Sequence, residues 1–188
     1  MKRIVPFLTS ALVLTALTAP ALSFNISASL YAALSDAVEA SRTHRDLNAL
    51  SADFAISKFD KTIVESFGTA WMRAGDGSLP SESVVLILRM YDGSYRARDL
   101  GSTNEHKQFT FRWHPATIAI VHTHPNSSDP KPQYDDRAVA DKFHVPVFTI
   151  TNRGMYVYDP GTKKLSRVMR DLDWLDASRW TKAVLARH

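Results

Sequence analysis

The chain of 188 residues contains no cysteine. Disulfides, thiolate metal ligands, cysteine nucleophiles and lipid-modified cysteines are therefore excluded. Stability must come from a packed core, and an apolar content of 45% is ordinary for a globular protein. The chain also lacks a strong excess of charge of either sign. Its formal net charge is only +4, and the basic residues are scattered among acidic ones. We therefore expect no nucleic-acid partner, since such binding favours a basic stripe interleaved with aromatic residues.

The N-terminal segment lacks an apolar run of the roughly 20 residues that a membrane-spanning helix needs. A basic pair precedes a shorter apolar stretch, and small residues follow it. This order is typical of a secretory signal peptide, although an uncleaved anchor or a buried N-terminal helix is the alternative. We predict a signal peptide over residues 1–23, with cleavage near Ser23 or, as second choice, Ala21. The mature domain, residues 24–188, is then exported to a periplasm or the medium, with no stable membrane insertion.

No internal repeat and no low-complexity linker divides the rest of the chain, so a single domain is expected. Apolar periodicity and β-branched or aromatic runs assign the secondary structure. The predicted helices cover residues 27–38, 47–59, 135–143 and 174–186, and the predicted strands cover residues 62–72, 83–90, 95–98, 108–113, 117–122, 145–151, 155–158 and 164–169. The fold class that this order favours is α/β, with a mixed β-sheet flanked by helices.

Two histidines at the end of the buried strand 117–122 carry the most chemical information. Side chains two residues apart in a strand point to the same face, so His122 and His124 can present both imidazoles to one metal ion. Asp135 opens the predicted helix that follows, and the intervening loop can deliver its carboxylate as a third ligand. Two histidines and one carboxylate leave a position open on zinc, where the pKa of water falls to about 7. The sequence therefore predicts a hydrolytic zinc site.

Hydrolysis also requires a carboxylate that takes a proton from water and passes it to the leaving amine. Glu65, on the first predicted strand, is the candidate, and Glu82 is the reserve. Other interpretations stay open at this point. The histidine pair can arise by chance, Glu65 can be a solvated strand residue, and Asp135 can be a helix N-cap, a position that Asp136 fits equally well.

The stretch TIAIVHTHPNSSDPKPQYDD resembles the JAMM metallopeptidases, also called MPN-plus or JAB. Their motif is an early Glu, then His-x-His, a seven-residue gap, Ser, two residues and Asp. His122, His124 and Asp135 match the metal ligands, and Glu65 resembles the early glutamate. The resemblance, strongest across residues 117–159, implies a JAB/MPN-like fold with cytidine-deaminase-like layering. It also implies a zinc cofactor and hydrolysis of a peptide or isopeptide bond.

The chain departs from the family at the serine of the motif, where Pro132 stands. That hydroxyl is thought to stabilise the oxyanion in the family, and Ser127, Ser128 or Tyr134 are the nearby hydroxyls that can replace it. Two functions follow as hypotheses: an exported zinc-dependent amide hydrolase with a peptide-like or peptidoglycan-like substrate, or a catalytically lapsed JAMM-like module with a binding or inhibitory role. A structural domain without metal is the third.

Other zinc architectures fit the sequence less well. Nucleobase deaminases need a downstream Cys-x-x-Cys, which a cysteine-free chain lacks. Zincin peptidases need His-Glu-x-x-His on a helix, and this motif is absent. Peptidoglycan peptidases of the LytM type need an upstream His-x-x-x-Asp, and His44 has no aspartate four residues later.

Overall fold

The computed structural model describes residues 13–16, 51–103, 108–111 and 113–180. The predicted signal cleavage and the predicted first helix lie outside these residues, so the boundary of the mature domain stays a prediction. Within the described part of the chain, no helix is both long and apolar enough to cross a membrane.

The described residues form three helices and eight strands. The helices are α1 (Ala52–Ile56), α2 (Lys61–Arg73) and α3 (Tyr134–Phe143). The strands are β1 (Val13–Ala16), β2 (Ser83–Arg89), β3 (Tyr95–Ser102), β4 (Gln108–Phe111), β5 (Thr117–Thr123), β6 (Val147–Thr151), β7 (Gly154–Asp159) and β8 (Lys164–Arg170). A 3-10 turn at Asp173–Leu175 and a helical segment at residues 177–180 begin the predicted closing helix, whose remainder lies outside the described residues.

Six strands form one mixed sheet in the order β3-β2-β5-β6-β7-β8. Only β5 and β6 are parallel in this sheet, and α3 connects them, whereas the other neighbours are antiparallel. Strands β1 and β4 form a separate parallel pair. The predicted α/β class with a mixed sheet and flanking helices is therefore confirmed.

The central strands alternate between two apolar layers, as the period of two residues in a strand requires. Val85 and Val121 belong to the layer that packs against α1 and α2. Val84 and Ile120 belong to the layer that packs against α3. Helices thus cover both faces of the sheet, and Ile120 of β5 lies on the face that α3 covers.

The prediction of a strand over residues 62–72 is wrong, because this segment is helix α2. Asp60 caps the helix by accepting a hydrogen bond of 2.9 Å from the backbone N–H of Ile63. The buried residues Ile63, Phe67 and Trp71 recur every four positions, which places them on one helical face. Packing of this face against the sheet therefore overrides the β-propensity of the individual residues.

One edge of the sheet brings three elements together. Since α3 connects two parallel strands, its first residues lie near the end of β5. Strand β2 runs antiparallel to β5 and pairs Val84 with His122, so β2 begins at the same edge. The end of β5, the start of α3 and the start of β2 therefore enclose one site.

Candidate metal centre

The two histidines at the end of β5 are fully enclosed by the fold. His122 is 0% exposed and His124 is 2% exposed. Their ring centroids are 4.8 Å apart. They follow Ile120 at intervals of two residues, and Ile120 belongs to the layer that packs against α3, so their side chains lie on that face.

The carboxylate that reaches these rings belongs to Asp136, not to Asp135. Asp136 Oδ1 lies 3.2 Å from His122 Nε2, and Asp136 Oδ2 lies 3.6 Å from His124 Nε2. The backbone N–H of Gln133, the N-cap residue of α3, donates a 2.7 Å hydrogen bond to Asp136 Oδ2 and fixes the side chain. Neighbouring residues of a helix point about 100° apart, so Asp135 cannot share this direction. The structure thus brings Asp136 to the histidines and does not bring Asp135, the carboxylate that the sequence predicts as third ligand.

Hydrogen bonds on the Nδ1 side determine where the ring protons lie. His124 Nδ1 is 2.7 Å from the backbone carbonyl oxygen of Asp129. A carbonyl oxygen only accepts, so Nδ1 carries the proton and Nε2 presents a lone pair. His122 Nδ1 is 3.4 Å from Glu82 Oε2, and a carboxylate also accepts. In the neutral form of each ring, the Nε2 lone pair therefore faces Asp136.

This arrangement leaves acceptors facing each other in the protein interior. His122 Nε2 and Asp136 Oδ1 are both buried and have no hydrogen-bond partner. A cation between them resolves this conflict, and ligands about 2.0–2.1 Å from tetrahedral zinc lie about 3.3 Å from one another. The separations of 3.2 Å and 3.6 Å, each to a different oxygen of the Asp136 carboxylate, are close to that spacing. The Nε2 atoms of His122 and His124 and the carboxylate of Asp136 are therefore candidate metal ligands.

The site also attracts positive charge. Burial disfavours the imidazolium of His122, but the negative charge and close contact of Asp136, followed by those of Glu82, outweigh it and raise the pKa of His122 above its usual value. Burial acts in the opposite sense on Asp136, where the contacts with His122 and then His124 lower the pKa of the carboxyl group. The Asp136 carboxylate therefore favours a cation on the Nε2 side of the rings, whether a proton or a metal ion.

Glu82 is the second buried carboxylate of the site. It directly precedes β2. Its backbone N–H donates a 2.9 Å hydrogen bond to Thr103 Oγ1, which holds this part of the backbone in place. Glu82, His122 and His124 form a buried group whose ligand atoms lie within 4.8 Å of one another and which could hold a metal ion. Glu82 contacts the Nδ1 side of His122, whereas Asp136 contacts the Nε2 side. We favour the Nε2 side, since Asp129 already occupies Nδ1 of His124.

Glu65, the predicted acid/base, is not brought to the histidines. It lies on α2, which packs on the sheet face opposite to α3. Its side chain is 64% exposed and lies 3.8 Å from Lys61 Nζ, one helical turn away. The reserve candidate Glu82 is the glutamate that the structure brings to the histidines, with Oε2 3.4 Å from His122 Nδ1. Its signal in the sequence is its place directly before the apolar run of β2, at the edge where an antiparallel neighbour of β5 must begin.

The comparisons with known proteins leave the family open. No protein-family model, no curated protein and no solved structure matches the chain. An α/β fold with a mixed sheet hosts many unrelated activities, so the architecture does not identify a function. Function must therefore be inferred from the side chains of the metal centre.

Proposed function

We propose that the protein is a zinc-dependent hydrolase of peptide or isopeptide bonds that acts outside the cytoplasm, with a JAMM-like site. The observation that carries this proposal is the convergence of His122 Nε2 and His124 Nε2 on the buried carboxylate of Asp136. A set of two histidines and one carboxylate, with a fourth position open, is typical of catalytic rather than structural zinc sites. Location outside the cytoplasm rests on the N-terminal sequence pattern alone.

Glu82 is the proposed acid/base. When zinc is bound, it lowers the pKa of a water molecule and polarises the carbonyl group to be cleaved. Glu82 accepts a proton from the attacking water and delivers it to the leaving amine. The Glu82 carboxylate is buried beside His122, with Oε2 3.4 Å from Nδ1, and it is the second buried carboxylate in contact with this ring besides Asp136.

The order of the four residues supports the JAMM-like proposal. A glutamate precedes one strand, two histidines end its antiparallel neighbour, and an aspartate opens the next helix. This order agrees with the JAMM arrangement once Glu82 and Asp136 replace Glu65 and Asp135. The bond cleaved is accordingly proposed to be an amide, and peptidoglycan cross-links offer such bonds to an exported enzyme.

Metal content tests the proposed ligands. We expect elemental analysis to find about one zinc per chain in the purified protein. The three ligands would occupy three of the four positions of tetrahedral zinc and leave the fourth for water or substrate. His122→Ala and Asp136→Asn should lose the metal. Asp135→Asn is the matched control and should keep it, since it changes the same group one position away from the rings.

Two outcomes would contradict this assignment. A wild-type protein that takes up no zinc when zinc is added rules out the zinc-dependent mechanism. Equal zinc in Asp136→Asn and the wild type removes Asp136 from the ligand set.

The second candidate function is a JAMM-like binding or inhibitory module without catalysis. The observation in its favour is the lack of a hydroxyl at the position of the motif serine. Pro132 is buried, and with Asp136 as the ligand the residue three positions earlier is Gln133. Under this alternative the protein binds zinc but cleaves no peptide amide, and Glu82→Gln leaves binding of its partner unchanged.

A further inference from the structure

Side chains from three different parts of the fold donate hydrogen bonds to backbone carbonyls of the loop that follows His124. This loop, residues 125–132, contains three prolines. Proline removes backbone donors, so backbone hydrogen bonds hold only the first part of the loop, where Asn126 N–H donates to the carbonyl of Gly77 and Ser128 N–H to that of Pro125. The carbonyls of residues 128–130 are held by side chains that donate to them.

Arg153 provides the first of these contacts. It lies in the turn between β6 and β7, and its guanidinium Nη2 donates to the carbonyl of Ser128 and reaches the carbonyl of Asn126 at 3.5 Å. A guanidinium is planar and always charged, so it can hold two carbonyls in a fixed relative geometry. The Arg153 side chain thus defines where the peptide unit between Ser128 and Asp129 lies.

His124 and Thr149 provide the next two contacts. The carbonyl of Asp129 accepts from His124 Nδ1 at 2.7 Å, and the carbonyl of Pro130 accepts from Thr149 Oγ1 at 2.5 Å. Thr149 is the register partner of His122 on the neighbouring strand. The carbonyl that orients His124 therefore lies between two peptide units that are themselves held, one by Arg153 and one by Thr149.

We infer that Arg153 is a positioning residue of the metal centre, acting through the loop that orients His124. This inference rests on the proposed zinc site. A metal-bound histidine depends on the group that accepts its other ring proton, and loss of that partner typically lowers metal affinity about 10–100-fold. Arg153 acts one step further out, on the segment that carries the accepting carbonyl. Its exposed position allows substitution without a cavity in the core.

The experiment compares zinc affinity among Arg153→Ala, Arg153→Lys and the wild type, by competition with a chelator of known affinity. We expect Arg153→Ala to bind zinc about 10-fold more weakly. Arg153→Lys should recover part of this loss, since an ammonium group can donate to one of the two carbonyls. Arg167→Ala, which removes an exposed arginine from β8, is the matched control and should bind zinc as the wild type does.

A second measurement separates positioning from general loop stability. In the metal-free protein, ¹⁵N NMR of the imidazoles should show His124 with its proton on Nδ1 in the wild type and a mixture of tautomers in Arg153→Ala. The urea midpoint of the metal-free protein should be the same in both. Wild-type zinc affinity in Arg153→Ala overturns the inference, and so does a loss of affinity with an unchanged tautomer. If the wild type binds no zinc, the proposed function fails, while the tautomer measurement still tests the role of Arg153.

Discussion

Two carboxylates contact opposite sides of the His122 ring, and their positions give them different roles. Asp136 faces Nε2, the atom that a metal ion would use, whereas Glu82 faces the Nδ1 proton. A carboxylate at Nδ1 can orient a metal-bound histidine. A buried carboxylate next to a metal centre can also transfer protons for a substrate. The two roles of Glu82 predict different effects of Glu82→Gln on kcat and on zinc affinity.

Glu82→Gln keeps the size of the side chain and removes its charge and its basicity. We expect kcat on a peptide amide substrate to fall by about 10²–10⁴, the usual contribution of a general acid/base, with zinc content unchanged. The measurement is kcat alongside zinc stoichiometry in the same preparation. Glu65→Gln is the control and should leave both unchanged, because Glu65 lies exposed on α2.

The opposite pattern would give Glu82 an orienting role. If Glu82→Gln lowers zinc affinity about 10–100-fold while the zinc-saturated protein retains its kcat, the side chain orients His122 and another group transfers the proton.

At the residue scale the sequence predicts the histidine pair but not the aspartate. The spacing of His122 and His124 fixes their common face through the alternation of a strand. The choice between Asp135 and Asp136 depends on the rotational phase of α3, which is set by its N-cap at Gln133. One residue of phase turns a side chain by about 100°, and neither residue type nor spacing reveals that phase.

At the scale of elements, strands β5 to β8 follow the predicted segments closely, since each is a short apolar or alternating run between turn residues. Helix α2 does not, because its β-branched and aromatic residues favour a strand. Its 13 residues and the recurrence of Ile63, Phe67 and Trp71 every four positions are the signals in the sequence that favour a helix. The error also placed Glu65 on the predicted sheet, whereas in the structure this residue lies exposed on α2.

The close pairing of β7 with β8 depends on Gly154, the first residue of β7. This residue has a φ of +129°, and a Cβ atom there would overlap the backbone carbonyl of Met169 on β8. Gly93 has a φ of +81°, but a Cβ atom there would meet nothing. We therefore expect Gly93→Ala to lower the free energy of unfolding by about 1 kcal/mol, from backbone strain alone. Gly154→Ala should lower it by more, about 3 kcal/mol, because β8 must also move.

Urea unfolding of the two variants beside the wild type measures this difference. Equal losses in Gly93→Ala and Gly154→Ala would show that β8 shifts freely and that only the backbone angle matters. A reduced slope of the transition would instead indicate a loosened native state.

At the scale of the whole molecule, the metal centre joins parts of the chain that are distant in sequence. Its side chains come from β5, from α3 and from the residue before β2. The cluster exists only when the sheet has formed and α3 has packed on it, so the unfolded chain offers no comparable site. Binding of a metal ion must therefore favour the folded state.

Zinc at a free concentration 100 times its Kd should raise the free energy of unfolding by about 2.7 kcal/mol, and a chelator should reverse the gain. Urea unfolding with and without zinc measures it. The Asp136→Asn variant distinguishes the two possible ligand sets, since both contain His122 and His124 but only one contains Asp136. No gain in this variant supports binding on the Nε2 side of the rings. A full gain would mean that Glu82 and the two histidines hold the ion, and that Asp136 serves only to cap α3 and balance the charge of His122.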